Sequence, residues 1–208
     1  MEKKVRIGNL FPNPLFVFSD FLSKEILNNL RNDCYSWRES DAGIQATNSD
    51  GWHSNRDLFQ RDELSFKSLS NSIFEACNFA AKNIAPEIDL SKYNSISNGW
   101  VNISSKGSFN TPHCHPGSTL SGVYYVQLNN SVKDSTSGLL QFLDPRAGIQ
   151  NFSEDVSDFD QAFSPNRNFR PIENSLIIFP SWLTHWVYPT KEEGDRISIA
   201  FNLKYSLK

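Results

Sequence analysis

The sequence predicts a mainly β protein with helices at its N-terminal end, an α+β arrangement in which the sheet is the larger part. Up to residue 92 the apolar residues recur at helical spacing in two segments. From Tyr93 onward, short runs rich in β-branched and aromatic residues alternate with turn residues, which is typical of an antiparallel sandwich or barrel. We expect one domain, with residues 1–92 packed on a β core formed by residues 93–208.

Composition excludes several classes of protein. The net charge is −3 and the basic residues are scattered, so no face for binding nucleic acid is expected. There is no apolar run of signal-peptide or membrane-span length, and the 3 cysteines have neither metal nor redox spacing. These features predict a cytoplasmic protein with no membrane partner. They leave the oligomeric state open, a homodimer included.

Two helices are predicted before the β core. The first is SDFLSKEILNNLRNDCYSW (residues 19–37), which Ser19 or Ser23 can cap. The second runs from about residue 63 to residue 84, with apolar residues on one face. Pro86 ends it, because the residue before a proline is restricted away from helical conformation.

Three other segments of the sequence are predicted to be irregular or only extended. Residues 5–18 contain prolines, which cannot sit inside a central strand, so we expect an extended segment there. Residues 39–62 are polar and contain glycines, and we expect a long loop in which Trp52 and His53 could reach a substrate. Residues 149–170 are polar with scattered phenylalanines, and we expect a loop over one end of the core.

Six segments of the second half have the composition of strands. They are residues 95–105, 118–128, 138–144, 174–180, 184–189 and 196–206.

A candidate metal site lies between the first two of these strands. His113 and His115 are two residues apart, so in an extended chain they lie on the same face, about 6.6 Å apart. Cys114 points the other way, and Pro112 and Pro116 place the pair at a strand end, where ligands can enter. Imidazole nitrogen is a common ligand for iron, zinc and copper. Two surface histidines, or two hydrogen-bonded core histidines, are the alternative interpretation.

The third candidate ligand is His185, which opens a short strand. Arg196 then begins an alternating strand and shares one face of it with Ser198 and Asn202. A buried guanidinium needs an anionic partner, so Arg196 and the Ser198 hydroxyl could form a site for a carboxylate. Asn202 is a candidate to support that site. Pairing of Arg196 with an internal Asp or Glu is the alternative.

The order H-x-H, a sheet, H, and then R-x-S on a terminal strand resembles that of the iron(II)/2-oxoglutarate-dependent dioxygenases, over roughly residues 95–205. The stretches GWVNISSKGSFNTPHCHPGSTLSGVYYVQ, GLLQFLDPR and FPSWLTHWVYP are similar to a family of 2-oxoglutarate–iron oxygenases from marine bacteria and their phages. The resemblance implies a double-stranded β-helix, which is a jelly roll or cupin-like barrel. It also implies iron(II), 2-oxoglutarate and O2 as cofactors, and hydroxylation of a substrate with release of succinate and CO2.

The same resemblance implies roles for individual residues. His113 and His185 match iron ligands, and Arg196 matches the residue that binds the far carboxylate of 2-oxoglutarate, with Ser198 beside it. Tyr125 matches a tyrosine that contacts 2-oxoglutarate in the prolyl-hydroxylase branch. His115 stands where most of the superfamily has Asp or Glu, so a three-histidine site would carry one more positive charge.

That departure keeps other ligand sets and functions open. Asp144 could supply a carboxylate, and Arg146 could pair with an acidic ligand. The protein could also be a cupin-like three-histidine metalloenzyme that does not use 2-oxoglutarate, or a non-catalytic jelly-roll module stabilised by a metal. Asn102 is expected to be a hydrogen-bonded core amide, and a hydrogen bond from it to the cofactor or to a histidine is the alternative. The sequence does not name the substrate, which could be a small molecule or a protein side chain.

Overall fold

The computed structural model of the chain describes residues 13–129, 136–144 and 166–208. Nine strands and two α-helices lie in these ranges. In chain order they are β1 (Phe16–Phe18), α1 (Lys24–Ser40), β2 (Asn48–His53), α2 (Leu64–Ile84), β3 (Tyr93–His113), β4 (Leu120–Gln127), β5 (Leu140–Leu143), β6 (Asn166–Phe169), β7 (Leu176–Pro180), β8 (His185–Val187) and β9 (Arg196–Leu207). The prediction of a mainly β protein with N-terminal helices is confirmed.

The strands pair in the order β1-β7-β4-β9-β3-β8-β5-β6. β2 lies outside this order and pairs with β3. Every pairing between these strands is antiparallel. The long strand β3 joins the two halves of the sheet, since its first part pairs with β9 and its last residues pair with β8. Gly107 lies between these parts with φ +91°, a conformation that glycine adopts without steric cost.

The two helices cover one face of the sheet. Ser23 caps α1, because its hydroxyl oxygen accepts a hydrogen bond from the Ile26 amide. The helix begins at Lys24, later than predicted, since Asp20 has φ +49° and interrupts helical backbone. The apolar faces of both helices pack on residues of odd number along β9, among them Ile197, Ile199 and Phe201. The opposite face of β9 is thereby left to line the interior of the barrel.

Two of the predicted irregular segments contain strands. Within residues 39–62, β2 pairs with β3, and Leu58–Gln60 form a short 3-10 turn, so the prediction of a continuous loop was wrong. Within residues 149–170, Asn166–Phe169 form β6, which pairs with β5. The remainder of that segment lies outside the described residues. Of the predicted extended segment 5–18, residues 5–12 lie outside the described residues, and the rest ends in β1 at the edge of the sheet, where a preceding proline is tolerated.

One apolar cluster lies between the helices and the sheet, and a second, smaller cluster lies inside the barrel. Its buried members are Tyr125, Leu140, Phe142, Ile177, Phe179 and Leu183. The described helices include none long and apolar enough to span a membrane.

Candidate active site

Three histidines meet at one end of the barrel. His113 is the last residue of β3 and lies in register with His185, the first residue of β8. His115 follows two residues after His113, and its amide donates a 2.8 Å hydrogen bond to the Ser181 carbonyl. The potential ligand atoms of the three side chains all lie within 4.8 Å of one another. The cluster can therefore hold a single metal ion.

Backbone carbonyls orient two of the three rings. Nδ1 of His113 lies 2.7 Å from the Thr111 carbonyl oxygen, and Nδ1 of His185 lies 2.8 Å from the Leu183 carbonyl oxygen. A carbonyl can only accept, so each Nδ1 carries the proton and each Nε2 keeps a free lone pair. This arrangement is common for metal-binding histidines, because the second hydrogen bond fixes both tautomer and ring orientation.

The environment keeps these imidazoles neutral. Burial lowers the pKa of all three. The pKa of His185 falls to about 3, with the charge of His113 contributing, and that of His115 falls to about 4, with His113 and Arg56 contributing. Neutral imidazole is the form that binds a metal, so the cluster is ready to coordinate at neutral pH.

A cavity runs from the triad into the barrel and ends at a buried arginine. Ser198 on β9 lies in register with Asn102 on β3 and with Tyr125 on β4, so these three side chains form one inward row. Arg196, the first residue of β9, is the inward-facing residue next to Ser198. It donates a 3.2 Å hydrogen bond to the Ser198 hydroxyl. The guanidinium carbon lies 5.3 Å from the centroid of the Tyr125 ring.

Several polar atoms of this cavity have no hydrogen-bond partner among the described residues. They are Arg196 Nε, the Tyr125 hydroxyl and Asn102 Oδ1. The described residues also offer Arg196 no carboxylate, although its exposure is only 4%. Burial raises the pKa of Tyr125 to about 12, so its hydroxyl stays protonated and can donate. Buried polar groups are normally paired, which indicates that this cavity is built for a polar, anionic ligand.

The remaining predicted site residues are placed differently. Asn202 accepts a 2.7 Å hydrogen bond from Ser121 and donates one to Asn98, and it lines a neighbouring cavity. Asn102 faces the cavity with Arg196, and its oxygen has no hydrogen-bond partner among the described residues, which differs from the expected core amide and leaves it free for a cofactor. The metal-binding cluster found among the described residues contains no carboxylate, so Asp144 is not part of it. Arg146 lies outside the described residues.

The neighbouring cavity, here called the outer cavity, has a volume of about 290 Å³ and shares His113 and His115 with the first. His53 stacks on Trp100 at its wall, with ring centroids 5.3 Å apart and an interplanar angle of 10°. The sequence predicts that His53 could reach a substrate from a loop, and the structure places it at the end of β2, lining this cavity. Arg56, which also lines this cavity, was not predicted, because nothing in its local sequence distinguishes it from other surface arginines.

Residues 98–202, about half of the chain, match a sequence family described as "Putative 2OG-Fe(II) oxygenase". The chain belongs to this family. Iron(II), 2-oxoglutarate and O2 are accordingly the cofactors and co-substrate of this 2OG-Fe(II) oxygenase, as the resemblance implied. No curated protein matches the sequence.

Solved structures of similar fold agree with this assignment. A Pseudomonas putida prolyl-4-hydroxylase matches with TM-score 0.62 at 13% identity, covering 92% of both chains. A Trichoplax adhaerens prolyl hydroxylase, solved with a hypoxia inducible factor peptide, matches with TM-score 0.64 at 13% identity, covering 91% of this chain and 83% of that one. HygX from Streptomyces hygroscopicus, solved with nickel and 2-oxoglutarate, matches with TM-score 0.55 at 13% identity, covering 92% of this chain and 83% of that one. The fold of this oxygenase is the predicted double-stranded β-helix.

Proposed function

We propose that this oxygenase hydroxylates its substrate with conversion of 2-oxoglutarate to succinate and CO2, and that His113, His115 and His185 are its iron ligands. Arg196 is proposed to bind the far carboxylate of 2-oxoglutarate. One observation carries the proposal. The triad and an arginine with no acidic partner among the described residues line the same cavity, one at each end.

The charge of Arg196 is the main argument for a dicarboxylate in this cavity. Burying an uncompensated guanidinium is costly, and the cost is removed when an anion binds to it. A carboxylate fits the planar donor fork of arginine and can accept from the Ser198 and Tyr125 hydroxyls as well. Asn102 lies in the same row, and its amide is proposed as a further hydrogen-bonding group for the cofactor.

The proposed ligand set is neutral, which affects the charge of the whole site. Three neutral histidines leave the charge of a divalent metal uncompensated, and the 2-oxoglutarate dianion can offset it. When bound, iron(II) supplies the oxidative chemistry with O2, and the protein contributes orientation and exclusion of water. Phe142 and Phe179 pack against the His185 ring, with centroid distances of 6.0 and 4.9 Å, and keep that side of the triad dry.

The alternatives account less well for the arginine. A three-histidine metalloenzyme that does not use 2-oxoglutarate has no need of a carboxylate site at the far end of the cavity. A metal with a purely structural role should have closed coordination, whereas this triad borders two cavities.

Anaerobic titration of the iron(II)-loaded protein with 2-oxoglutarate tests the proposal, with the visible metal-to-ligand charge-transfer band as readout. Wild type and Lys204→Gln, a control at an exposed position of the same strand, should give the band. Arg196→Gln should bind iron normally but require about 100-fold more 2-oxoglutarate, since a buried charged hydrogen-bond pair is lost. Iron binding with no band in wild type would favour the three-histidine alternative, and absence of iron binding would refute both enzymatic functions.

A further inference from the structure

We propose that the outer cavity binds a small organic acid as substrate, and that Arg56 binds its anionic group. This inference rests on the proposed function, because it names the substrate class of the same site. It starts from the position of the cavity. His113 and His115 belong both to the outer cavity and to the cavity that leads to Arg196. A molecule in the outer cavity therefore contacts the triad from a side that Arg196 does not occupy.

The charge of the outer cavity comes from one described residue. Arg56 is the only charged side chain among the described residues that line it. The described residues give Arg56 no ion pair, and its guanidinium carbon lies 5.4 Å from the centroid of the Trp100 ring. An aromatic ring can hold a guanidinium in place while the N–H donors stay available. Arg56 is close enough to lower the pKa of His53 and of His115.

The other walls favour a small polar molecule over an apolar one. Asn98, Asn202, Thr47 and Ser118 offer neutral donors and acceptors, and the stacked rings of Trp100 and His53 form a flat side. A volume of about 290 Å³ is near the lower end of the range for small-ligand sites, roughly 300–1,000 Å³. A neutral polar lining with a single unpaired cation selects a carboxylate or phosphate attached to a compact body, because a guanidinium binds such oxyanions through paired hydrogen bonds.

Ligand-observed NMR with the Mn(II)-loaded protein tests this, since paramagnetic Mn(II) broadens the resonances of molecules bound near it. The probes are benzoate and phenyl phosphate, with benzamide and benzyl alcohol as neutral counterparts of the same size. Saturating 2-oxoglutarate keeps the acids away from Arg196. We expect benzoate, phenyl phosphate or both to be broadened and the neutral probes not. The comparison of the two acids distinguishes a carboxylate from a phosphate substrate.

Substitution of Arg56 then separates its role from non-specific binding of acids. Arg56→Gln should raise the Kd of the broadened acid about tenfold, since a charged hydrogen bond is lost, and Arg56→Lys should recover part of that loss. Arg38→Gln, which removes an arginine of α1 that is paired with Asp195, should leave the Kd unchanged. Thermal melts of the variants confirm that they are folded, as expected for an exposed side chain.

Three outcomes would overturn the inference: neutral probes that are broadened as strongly as the acids, acids whose Kd is the same in Arg56→Gln, or no broadening of either acid. Each of these leaves the proposed function intact as long as Mn(II) broadens the methylene protons of 2-oxoglutarate. Loss of that broadening in wild type refutes the proposed function instead.

Discussion

His113 and His185 face each other in register across β3 and β8, with ring centroids 4.5 Å apart. The geometry of these two proposed ligands is thus set by a pair of strands and by the two carbonyls that orient their rings. His115 has no such hydrogen bond to its ring among those found in the described residues, and it lies beyond the end of β3. We therefore expect its contribution to be the most easily replaced of the three.

Replacement of His115 should separate ligand loss from ligand exchange. His115→Ala should weaken Co(II) or anaerobic Fe(II) binding at least tenfold, because one of three ligands is lost. His115→Asp should bind close to wild type, because a carboxylate oxygen is also a ligand for these metals. His53→Gln changes the one histidine outside the triad and serves as the matched control. Metal titrations give the affinities, and unchanged affinity in His115→Ala would exclude this residue as a ligand.

Tyr125→Phe should have opposite effects on stability and on cofactor binding. The Tyr125 hydroxyl is buried with no partner in normal hydrogen-bond geometry among the described residues, and the nearby Arg196 guanidinium offsets only part of its desolvation, so its removal should stabilise the cofactor-free protein by at most about 1 kcal/mol. The same change should weaken 2-oxoglutarate binding about fivefold, since a donor to the carboxylate is lost. Chemical denaturation and 2-oxoglutarate titration measure the two quantities. Destabilisation of the cofactor-free form would mean that the hydroxyl is already satisfied.

The metal-free protein should lose stability as the pH falls from 7 to 4. Burial lowers the pKa of His185 from 6.5 to about 3, so in this window the unfolded chain binds a proton that the folded chain does not. The free energy of unfolding therefore rises with pH, by at most about 1.4 kcal/mol per pH unit for this residue. Urea unfolding with a chelator at several pH values should show a shallower slope for His185→Gln. An equal slope would show that His185 titrates normally.

Gly122 should tolerate no side chain, because the β7 backbone and a β9 side chain both crowd this position of β4. A Cβ at this position would lie 2.5 Å from the Ile177 carbonyl oxygen and would overlap the Phe201 ring. Overpacking of this kind costs about 1–3 kcal/mol, so Gly122→Ala should lower the free energy of unfolding by that amount. Gly117→Ala is the comparison, since nothing lies within 4 Å there and only its φ of +84° opposes a side chain. Equal effects of the two substitutions would refute the steric explanation.

The parts of the fold that were predictable from sequence are those with local signals. The second helix has a clear apolar period, and five of the six predicted strand segments agree closely with β4, β5, β7, β8 and β9. The segment Asn48–His53 is polar and contains a glycine, so its strand character comes from pairing with β3 rather than from its own residues. β6 is similarly polar and pairs only with β5.

In the candidate site, too, only the residues with a local sequence signal were predictable. The alternation of β9 predicts that Arg196 and Ser198 share an inward face, and in the structure Arg196 Nη1 lies 3.2 Å from Ser198 Oγ on that face. The unpaired oxygen of Asn102 and the position of Arg56 depend on strands and turns that are distant in sequence. Such contacts leave no periodic signal in the sequence, so they can be identified only from the folded structure.

The two ends of the cofactor cavity differ in how firmly their backbone is held. Ser198 lies within a strand of 12 residues, whereas His185 begins a strand of 3 residues, although both strands are paired on each side. Local openings in proteins occur where few backbone hydrogen bonds must break. Amide hydrogens near Ser198 should then exchange only on global unfolding, and those near His185 through brief local fraying. We therefore expect the proposed metal site to load and release its ion through the end built on the short strand, while the opposite end keeps its native shape.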